Sequence, residues 1–567
     1  MSEQTEGVLN RREQYKARLK PYDYFSEFDT IDFESLGEGD RYYLQDFGIF
    51  NADFLEDEFT IRLRNAGGRI PYTAFSFLAQ IIEHYDLTLI ITTRAGFQLH
   101  DICAEDVREI WYKLNENNLT TWQSFGDNIR NIVTDIFDGM NQYAKLEVQP
   151  LIEQMQEYIL KNPKYVGMLP RRVSIGISGN EVNVSSFFAN DIYFALAQKD
   201  ETYGFNVYMG GKNTELAQDA NIFLTYDEVV PFFKAFVHTF YTHGSRFSRS
   251  KTRLFYMIKE ITLKGLKKLI EQEFHQLFLS AGALKLEHKD FSDYELLNDG
   301  TFSYRYQTNF GKLTAQEIQE IANFATLHHA SLRIGIDQNI YILGLPDKNV
   351  PFAQRPLSAT VVACAGNLCP YGVWSIKDET SHLPLELIQK NNLKVGFSGC
   401  AKGCGRHRHT DIGLIGLKTQ NFGDTEGGAR IFIGAQYTQG ESISQQLFSM
   451  VPFVHLRGVI TLIIRLYEKS SFQNFQLYSE HILSKYSEDF LALWHLYNLQ
   501  NKTQIPLPLP SSSITKEEQK ILNDTFNILL TSTEDLKKTV SLLAKKLWTV
   551  AGKDPHYKPP IKRVKFR

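Results

Sequence analysis

The sequence predicts an α+β protein whose chain is internally duplicated in the order A–B–A′–B′. Residues 59–100, in repeat A, align without a gap with residues 302–343, in repeat A′. Residues 175–180, in repeat B, match residues 395–400, in repeat B′. Repeats this far apart do not form a solenoid, whose units are about 20–50 residues long. The duplication instead predicts a molecule with pseudo-two-fold symmetry.

The two A copies share the pattern of a strand, a turn, an amphipathic helix and a second strand. The aligned pairs include Phe59 with Phe302, Arg62 with Arg305, and Gly68 with Gly311. Further along, Leu89–Ile91 aligns with Leu332–Ile334. Both copies are therefore predicted to fold into the same order of elements.

The two B copies differ at the positions that matter for chemistry. Their matches also include Asp191 with Asp411, and Gly204–Gly211 with Gly428–Ala435. Repeat B has Asn180 and Val184 where repeat B′ has Cys400 and Cys404. Only B′ is therefore predicted to hold a redox centre.

Four of the five cysteines fall in two close pairs, Cys364 with Cys369 and Cys400 with Cys404. Soft thiolates in two short loops suit an iron–sulfur cluster. The glycines around the second pair let backbone N–H groups approach a cluster or an anion. Structural zinc is the alternative, although closed zinc sites usually draw on tighter Cys-x2-Cys loops. Five cysteines in 567 residues are not a disulfide framework.

Three further side chains carry weaker expectations. Cys103 is expected to be a small buried residue. His407 and His409, which follow the second cysteine pair, are expected at the surface, with hydrogen bonding to a cluster as the alternative. The basic run Arg246–Arg253 can form a solvated helix face.

Composition describes an ordinary globular protein of several domains, with 43% hydrophobic and 22% charged residues. A net charge of −4 gives no support to nucleic-acid binding. The first 20 residues lack the apolar core of a signal peptide. The apolar run Gly458–Ile464 is too short to span a bilayer. These features predict a cytoplasmic protein without a membrane span.

The chain resembles the sulfite/nitrite reductase haemoproteins over roughly residues 40–470. The motifs that carry the resemblance are Thr92–Arg94, Gln98–His100, Gly126–Asn131, Leu169–Arg172, Gln338–Asn339, and the cysteine loops followed by Asp411–Gly413. The resemblance implies ferredoxin-like half-domains and two α/β domains of the sirohaem/iron–sulfur type. It also implies sirohaem joined to a [4Fe–4S] cluster. It further implies that the basic run Arg246–Arg253 reaches the haem, to which a solvated helix face is the alternative.

The resemblance further implies roles for individual residues. The implied cluster ligands are Cys364, Cys369, Cys400 and Cys404, with Cys404 also bridging to the sirohaem iron. The implied catalytic residues are Arg94, Arg130, Arg172 and Ser174. The implied cofactor-binding residues are Arg94, Arg130, Arg171, Gln338, Asn339 and Cys404.

The implied activity is the six-electron reduction of a small oxyanion. Four guanidinium groups favour sulfite, giving sulfide; nitrite, giving ammonia, is the alternative, and a tetrapyrrole-pathway relative is a more remote one. The chain departs from the family pattern at Arg172 and Ser174, where the family has Lys and then Lys or Asn, and in a shorter first cysteine loop. No flavin or nicotinamide fingerprint is evident, so ferredoxin, flavodoxin or a flavoprotein subunit must donate electrons.

The predicted segments follow the repeats. They are an N-terminal arm (1–44), half-domain A (45–115), domain B (116–285), half-domain A′ (286–350), domain B′ (351–503) and a C-terminal extension (504–567). The extension begins with a stiff proline-rich linker, continues in a helical pattern over Lys516–Trp548, and ends in the basic tail Gly552–Arg567.

Overall fold

The computed structural model describes residues 8–551, apart from residues 53–56, 288, 290, 354–359, 422–423, 439, 510–513 and 531. The chain divides into two units, Met1–Gln354 and Arg355–Arg567. The first unit contains A, B and A′, and the second contains B′ and the C-terminal extension. The basic tail lies outside the described residues. Among the described residues, no helix combines the length and apolar character needed to cross a membrane.

Repeat A is an antiparallel sheet backed by helices. Its elements, with the helices that precede it, are α1 (Arg11–Arg18), α2 (Glu38–Tyr43), β1 (Ile49–Asn51), β2 (Phe59–Leu63), β3 (Arg69–Ile70), α3 (Tyr72–His84), β4 (Thr88–Ile91), β5 (Phe97–Ile102) and α4 (Val107–Glu116). Helix α3 begins after Pro71, which is a favourable residue at a helix start. Its buried side chains recur at helical spacing, as in Phe75, Leu78 and Ile82, and form one face towards the sheet.

Repeat B contains a mixed sheet and three helices. Its elements are α5 (Gln149–Leu160), β6 (Ile175–Ser178), β7 (Ile192–Lys199), β8 (Thr202–Met209), β9 (Gln218–Leu224), α6 (Val229–His243), α7 (Leu254–Phe274) and β10 (Ala283–Leu284). Strand β6 runs parallel to β7, and β7, β8 and β9 are antiparallel. Strands β6 and β7 are almost wholly buried, which explains their continuous apolar runs.

Repeat A′ reproduces the part of repeat A from β1 to β5 element by element. Its elements are β11 (Tyr294–Leu296), β12 (Phe302–Tyr306), β13 (Lys312–Leu313), α8 (Ala315–Leu327), β14 (Ser331–Ile334) and β15 (Ile340–Leu345). Helix α8 starts with a capping box, in which Thr314 and Glu317 satisfy each other's backbone N–H groups.

The two A repeats exchange a strand. The sheets have the orders β1-β2-β5-β4-β13 and β11-β12-β15-β14-β3, so each takes a two-residue strand from the other repeat. The exchanged registers are equivalent: Arg69 pairs with Arg333, and Lys312 pairs with Ile90. Neither sheet is complete without a strand from the other repeat, so residues of both repeats contribute to one shared core.

A hydrogen bond marks the pseudo-two-fold axis directly. Ser76 on α3 donates to Gln319 on α8 at 2.9 Å, and these residues are equivalent positions 243 apart in the chain. The exchange needs two equivalent glycines, Gly68 at φ +78° and Gly311 at φ +79°. A Cβ atom on Gly68 would lie 2.4 Å from the carbonyl oxygen of Ile334. The predicted α+β fold with a duplicated, pseudo-symmetric core is confirmed.

Repeat B′ has the topology of repeat B. The elements of the second unit are β16 (Val361–Ala363), α9 (Leu385–Lys390), β17 (Val395–Ser398), β18 (Ile412–Asn421), β19 (Asp424–Ile433), β20 (Gln445–Pro452), α10 (Phe453–Glu468), α11 (Phe475–His481), α12 (Glu488–Asn501), α13 (Ile514–Phe526) and α14 (Thr533–Ala551). Strands β16, β17 and β18 are parallel, whereas β18, β19 and β20 are antiparallel. Strands β17 and β18 occupy the positions of β6 and β7.

The C-terminal extension packs on repeat B′. The predicted helical pattern is present, but it is divided into α13 and α14. Trp548 on α14 is buried, with ring centroids 4.9 Å from His455 and 5.9 Å from Phe448. The start of the proline-rich segment also packs, because the carbonyl of Ile505 accepts a hydrogen bond from the indole of Trp494 at 2.9 Å. This part is thus not the free, stiff linker that its composition predicts.

Candidate functional site

The four paired cysteines follow two adjacent parallel strands of the second unit. Cys364 comes directly after β16, and Cys400 lies two residues after β17. Because β16 and β17 are parallel neighbours, their carboxyl ends meet at one edge of the sheet. The fold therefore brings the two cysteine loops to the same edge of the sheet.

The Cys364 thiol is held by backbone donors. Its Sγ accepts hydrogen bonds from the N–H of Gly399 at 3.0 Å and of Gly366 at 3.3 Å. Burial raises the pKa of the thiol to about 12, and the nearby Cys404 adds to the shift. Backbone N–H groups directed at sulfur are the donors that stabilise a metal-bound thiolate.

The thiols interact as one set. The pKa of Cys369 is raised by burial, and Cys404 and Cys400 contribute through their charge. A [4Fe–4S] cluster takes one thiolate per iron, and the four cysteines of these two loops supply that number. The donor set therefore fits a cluster.

The second loop is fixed from inside the domain. Buried Ser398 accepts from the N–H of Gly405 at 3.0 Å and bonds the ring of His407 at 2.9 Å. A Cβ atom on Gly405 would lie 1.7 Å from the carbonyl oxygen of Phe397, so this position requires glycine. Burial, followed by the charges of Arg408 and His409, lowers the pKa of His407 to about 3.

Two expectations from the sequence are wrong here. His407 and His409 are buried rather than at the surface. Cys103 is exposed rather than buried, because it follows strand β5 at the point where the chain turns outwards. Local sequence carries no signal for either outcome, since both depend on which side of an element the fold covers.

In repeat B, a carboxylate takes the position of the first ligand. Val133 pairs in parallel with Gly176, as Val362 of β16 pairs with Gly396. Asp135, two residues after Val133, is thus the equivalent of Cys364. Its carboxylate accepts from the N–H groups of two residues and the amide of a third, namely Phe137 (2.9 Å), Val184 (2.7 Å) and Asn180 (3.0 Å).

Asn180 and Val184 are the residues that replace Cys400 and Cys404. Repeat B therefore keeps the arrangement of the two loops, but its loops donate hydrogen bonds to one buried carboxylate, that of Asp135. Burial raises the pKa of Asp135 to about 6.

The first unit brings the predicted arginines to one place. The segment before Ser174 pairs with the loop of Arg130, through a parallel bridge between Ile129 and Val173. The N–H of Arg130 donates to the carbonyl of Val173 at 2.8 Å. Arg172 therefore lies next in the chain to the residue that anchors Arg130.

The side chain of Asn131 connects Arg94 to the loop of Arg130. Its amide donates to the carbonyl oxygens of Arg94 at 2.8 Å and Asn65 at 2.6 Å. Arg94 sits in the turn between β4 and β5, so this bond fixes the turn beside the Arg130 loop. Asn131 was not among the predicted site residues, although it stands in the motif Gly126–Asn131.

The guanidinium of Arg130 is buried close to other positively charged side chains. Its pKa is lowered well below the usual range, first by burial and then by Arg62, Arg172 and Arg94. Its Nη atoms donate to the carbonyls of Ser124 at 2.5 Å and Gly126 at 3.0 Å. Its buried Nε has no hydrogen-bond partner among the described residues. A like-charged, partly unsatisfied cluster of this kind favours bound anions.

Arg171 extends the cluster. Burial and the charge of Arg249 lower its pKa to about 9. Its buried Nε also has no hydrogen-bond partner within the described part of the chain. Sirohaem carries several carboxylates, which guanidinium groups bind well. These arginines therefore fit such a group as well as a small oxyanion.

Arg62 is a site residue that the sequence did not identify. It lies on β2 with its guanidinium 3.8 Å from the centre of the Phe125 ring, and it donates to the carbonyl of Ser124 at 3.3 Å. Arg305, its counterpart in repeat A′, pairs instead with Asp293 at 2.6 Å. The two repeats have diverged at this position, because Arg62 adds its charge to the cluster around Arg130, whereas Arg305 forms an ion pair with Asp293.

Other predicted site residues are bonded within the protein. The hydroxyl of buried Ser174 donates to Asp191 at 2.7 Å. The amide of buried Gln338 donates to the carbonyl of Ile91 at 2.6 Å, across the junction of A and A′. Asn339 donates to Asp337 at 2.9 Å.

The basic run is not a solvated helix face. Three of its arginines form ion pairs within the first unit, namely Arg246 with Glu13 (2.6 Å), Arg249 with Asp127 (2.6 Å) and Arg253 with Asp191 (2.7 Å). The run therefore braces the segments that carry the site arginines.

Comparison with known families agrees with this architecture. The family model described as "Nitrite and sulphite reductase 4Fe-4S domain" matches residues 125–278. The model "Nitrite/Sulfite reductase ferredoxin-like half domain" matches twice, at residues 55–117 and 295–357. The chain belongs to the nitrite/sulfite reductase family. The family brings a [4Fe–4S] cluster and sirohaem as its cofactors, and the chain is an oxidoreductase.

Similar proteins span nearly the same length. A ferredoxin–nitrite reductase of Synechococcus elongatus is 27% identical over 493 residues, covering 80% of this chain and 96% of that protein. An assimilatory ferredoxin-dependent nitrite reductase of Haloferax mediterranei is 24% identical, covering 81% of this chain and 89% of that protein. The structure of the Mycobacterium tuberculosis NirA protein has the same fold, with a TM-score of 0.75, 21% identity, and coverage of 85% of this chain and 97% of that one.

Proposed function

We propose that this chain reduces nitrite to ammonia with six electrons supplied by ferredoxin. The observation that carries the proposal is the arginine cluster around buried Arg130, in a family member that spans nearly the whole length of ferredoxin–nitrite reductases. A small oxyanion needs convergent cations, and bidentate guanidinium groups are well suited to it.

Nitrite is favoured over sulfite, although the count of arginines favours sulfite. Counting overstates the hydrogen-bond donors offered to a substrate, because Arg130 already uses two N–H groups for backbone carbonyls. Ser174 stands where the family has Lys or Asn, and it supplies no ammonium group. The similar full-length proteins are named as nitrite reductases, whereas sulfite is supported only by the name of the family.

The site residues take the following roles in the proposal. When bound, sirohaem and the cluster supply the electrons and the iron at which the anion is reduced. Cys364, Cys369, Cys400 and Cys404 would hold the cluster, and Cys404 would also take part in holding the sirohaem. Arg94, Arg130 and Arg172 bind the anion. Arg171, Gln338 and Asn339 contribute to the cofactor site.

Reduction removes oxygen as water and therefore consumes protons. Arginine keeps its proton in proteins and is a poor acid, so the role proposed for these arginines is to hold the anion rather than to donate protons.

The test is to purify the protein without oxygen and compare kcat/KM for nitrite and sulfite. Reduced methyl viologen serves as the common donor, and reduced ferredoxin, flavodoxin and a flavoprotein are then compared. We expect a preference for nitrite of at least about tenfold, equal to about 1.4 kcal/mol, and the fastest turnover with ferredoxin. A preference for sulfite would reverse the substrate proposal, and no turnover of either anion by loaded protein would reject the function.

Cofactor content provides an independent test. We expect about five iron atoms and about four acid-labile sulfides per chain. Cys404→Ser should lose the cluster and its coupling to the haem, whereas Cys103→Ser, a change at the exposed cysteine, should retain both. A colourless protein with one zinc ion would contradict the assignment of the cysteines.

A further inference from the structure

The N-terminal helix α1 places a charged side chain deep in the first unit. Lys16 is only 4% exposed, and its partner Glu13, one turn earlier, is 5% exposed. The ammonium Nζ lies 2.6 Å from Glu13 Oε1, 2.6 Å from the carbonyl oxygen of Leu169 and 3.1 Å from Asp127 Oδ2. The ammonium thus makes two hydrogen bonds and a further ion pair, and two of its three partners, Leu169 and Asp127, belong to segments far along the chain.

Those two segments are the ones that carry the site arginines. Asp127 lies three residues before Arg130, and Leu169 lies two residues before Arg171. Lys16 thus connects the Arg130 loop and the Arg171–Arg172 segment from outside the site.

Two arginines complete the same network. Arg249 binds Asp127 with both Nη atoms, at 2.6 and 2.7 Å, and also donates to the carbonyl of Pro170 at 3.3 Å. Arg246 binds Glu13 at 2.6 Å and donates to the carbonyl of Met168 at 3.1 Å. Every backbone carbonyl from residue 168 to residue 170 therefore accepts from one of these cations.

Stability alone does not account for such an arrangement. Burying an ammonium group costs several kcal/mol, and well-packed apolar residues often stabilise a fold as much as a buried ion pair does. What ion pairs add is a fixed geometry between the groups they join. Burial alone would raise the pKa of Asp127, but Lys16 and Arg249 hold that pKa well below its usual range, so the carboxylate stays charged.

We propose that Lys16 is a positioning residue of the anion site: through Asp127 and Leu169 it fixes the Arg130 loop against the Arg171–Arg172 segment and so sets the affinity for the anion. The proposal rests on the proposed function in taking nitrite as the anion. It assigns to the N-terminal segment a role in binding that the family models, which begin at residue 55, do not cover.

The test compares Lys16→Met with Lys16→Arg in the full-length, cofactor-loaded enzyme. Nitrite binding to the oxidised enzyme is measured by calorimetry, which needs no turnover, and hydrogen exchange is followed in residues 124–131 and 166–174. We expect Lys16→Met to weaken nitrite binding about tenfold and to speed exchange in both segments. Lys16→Arg, which keeps the charge, should stay within about threefold of the wild type and is the decisive variant if Lys16→Met does not fold.

Two controls separate positioning from a general loss of stability. Lys20→Met removes an exposed lysine just after α1 and should leave both nitrite affinity and hydrogen exchange unchanged. Ile318→Val lowers the stability of the same core without touching the network and should leave nitrite affinity unchanged. If Lys16→Met is destabilised but binds nitrite and exchanges like Ile318→Val, the proposal is wrong.

Failure of the proposed function gives a different pattern. Wild-type enzyme would then bind neither nitrite nor sulfite, while the exchange measurement still reports on Lys16. Faster exchange confined to the two segments in Lys16→Met would still support positioning, and unchanged exchange would overturn it.

Discussion

Asp46→Asn should remove a large part of the pH dependence of stability in the first unit. Asp46 is buried and accepts a hydrogen bond from Asn128, which stands in the loop of Arg130. Burial, followed by the charge of Asp127, raises its pKa from 3.8 to about 7. The folded state therefore holds a proton that the unfolded chain releases, and stability is lost as pH rises from about 4 through about 7.

The size of the effect follows from the shift. A difference of about three pKa units corresponds to about 4 kcal/mol. Most of it, about 2–3 kcal/mol, falls between pH 5 and pH 8. Asparagine keeps the acceptor for Asn128 and is neutral at every pH. The free energy of unfolding of the variant should therefore rise relative to that of the wild type by this amount between pH 5 and pH 8.

The assay is urea unfolding at pH 5 and pH 8, followed by tryptophan fluorescence. Trp122 reports on this region, because its ring lies 5.1 Å from Phe47, the residue after Asp46. Asp227→Asn, at an exposed position, is the control and should show no pH-dependent difference. The reasoning would be refuted if the difference in free energy of unfolding between Asp46→Asn and the wild type stayed constant within about 0.5 kcal/mol from pH 5 to pH 8.

Three further predictions test separate parts of the structure. Gly68→Ala should lower the free energy of unfolding by about 1–3 kcal/mol in urea titrations, because its Cβ would meet the Ile334 carbonyl at the strand exchange. Gly300→Ala, at a similar φ but with open space around it, should lower the free energy of unfolding by less. Trp548→Ala should destabilise the second unit by about 3–5 kcal/mol in calorimetry, and a small effect equal to that of the exposed Leu542→Ala would show that α14 is not integral to the unit. Arg62→Met should raise KM for nitrite severalfold. An unchanged KM, as expected for a change at the partly exposed Arg69, Arg69→Met, would remove Arg62 from the site.

Position 174 illustrates what a local motif cannot determine. The motif that contains Ser174 indicates a substrate-contacting position, and the hydroxyl is bonded to Asp191 inside the domain. Asp191 also accepts from the N–H of Ser174 at 2.8 Å, and the equivalent aspartate in B′, Asp411, accepts in the same way from the N–H of Lys394. A shared structural role of the two aspartates, visible only once both repeats are folded, therefore holds this position.

The sequence by itself determined the duplication, the order of the elements and the set of four cysteines. These are properties of spacing and residue type, because strand and helix periodicities and thiolate chemistry are local. Aligning residues 59–100 with 302–343 was enough to predict two equivalent half-domains, and both are present.

Only the tertiary structure decided how the parts combine. The strand exchange between β3 and β13, the burial of Lys16 and His407, and the addition of Arg62 to the arginine cluster all join residues distant in the chain. Burial and charge proximity set these outcomes, and both depend on which surfaces the fold brings together. A charged residue such as Lys16 looks solvated in the sequence and becomes a buried connector only when three acceptors surround it.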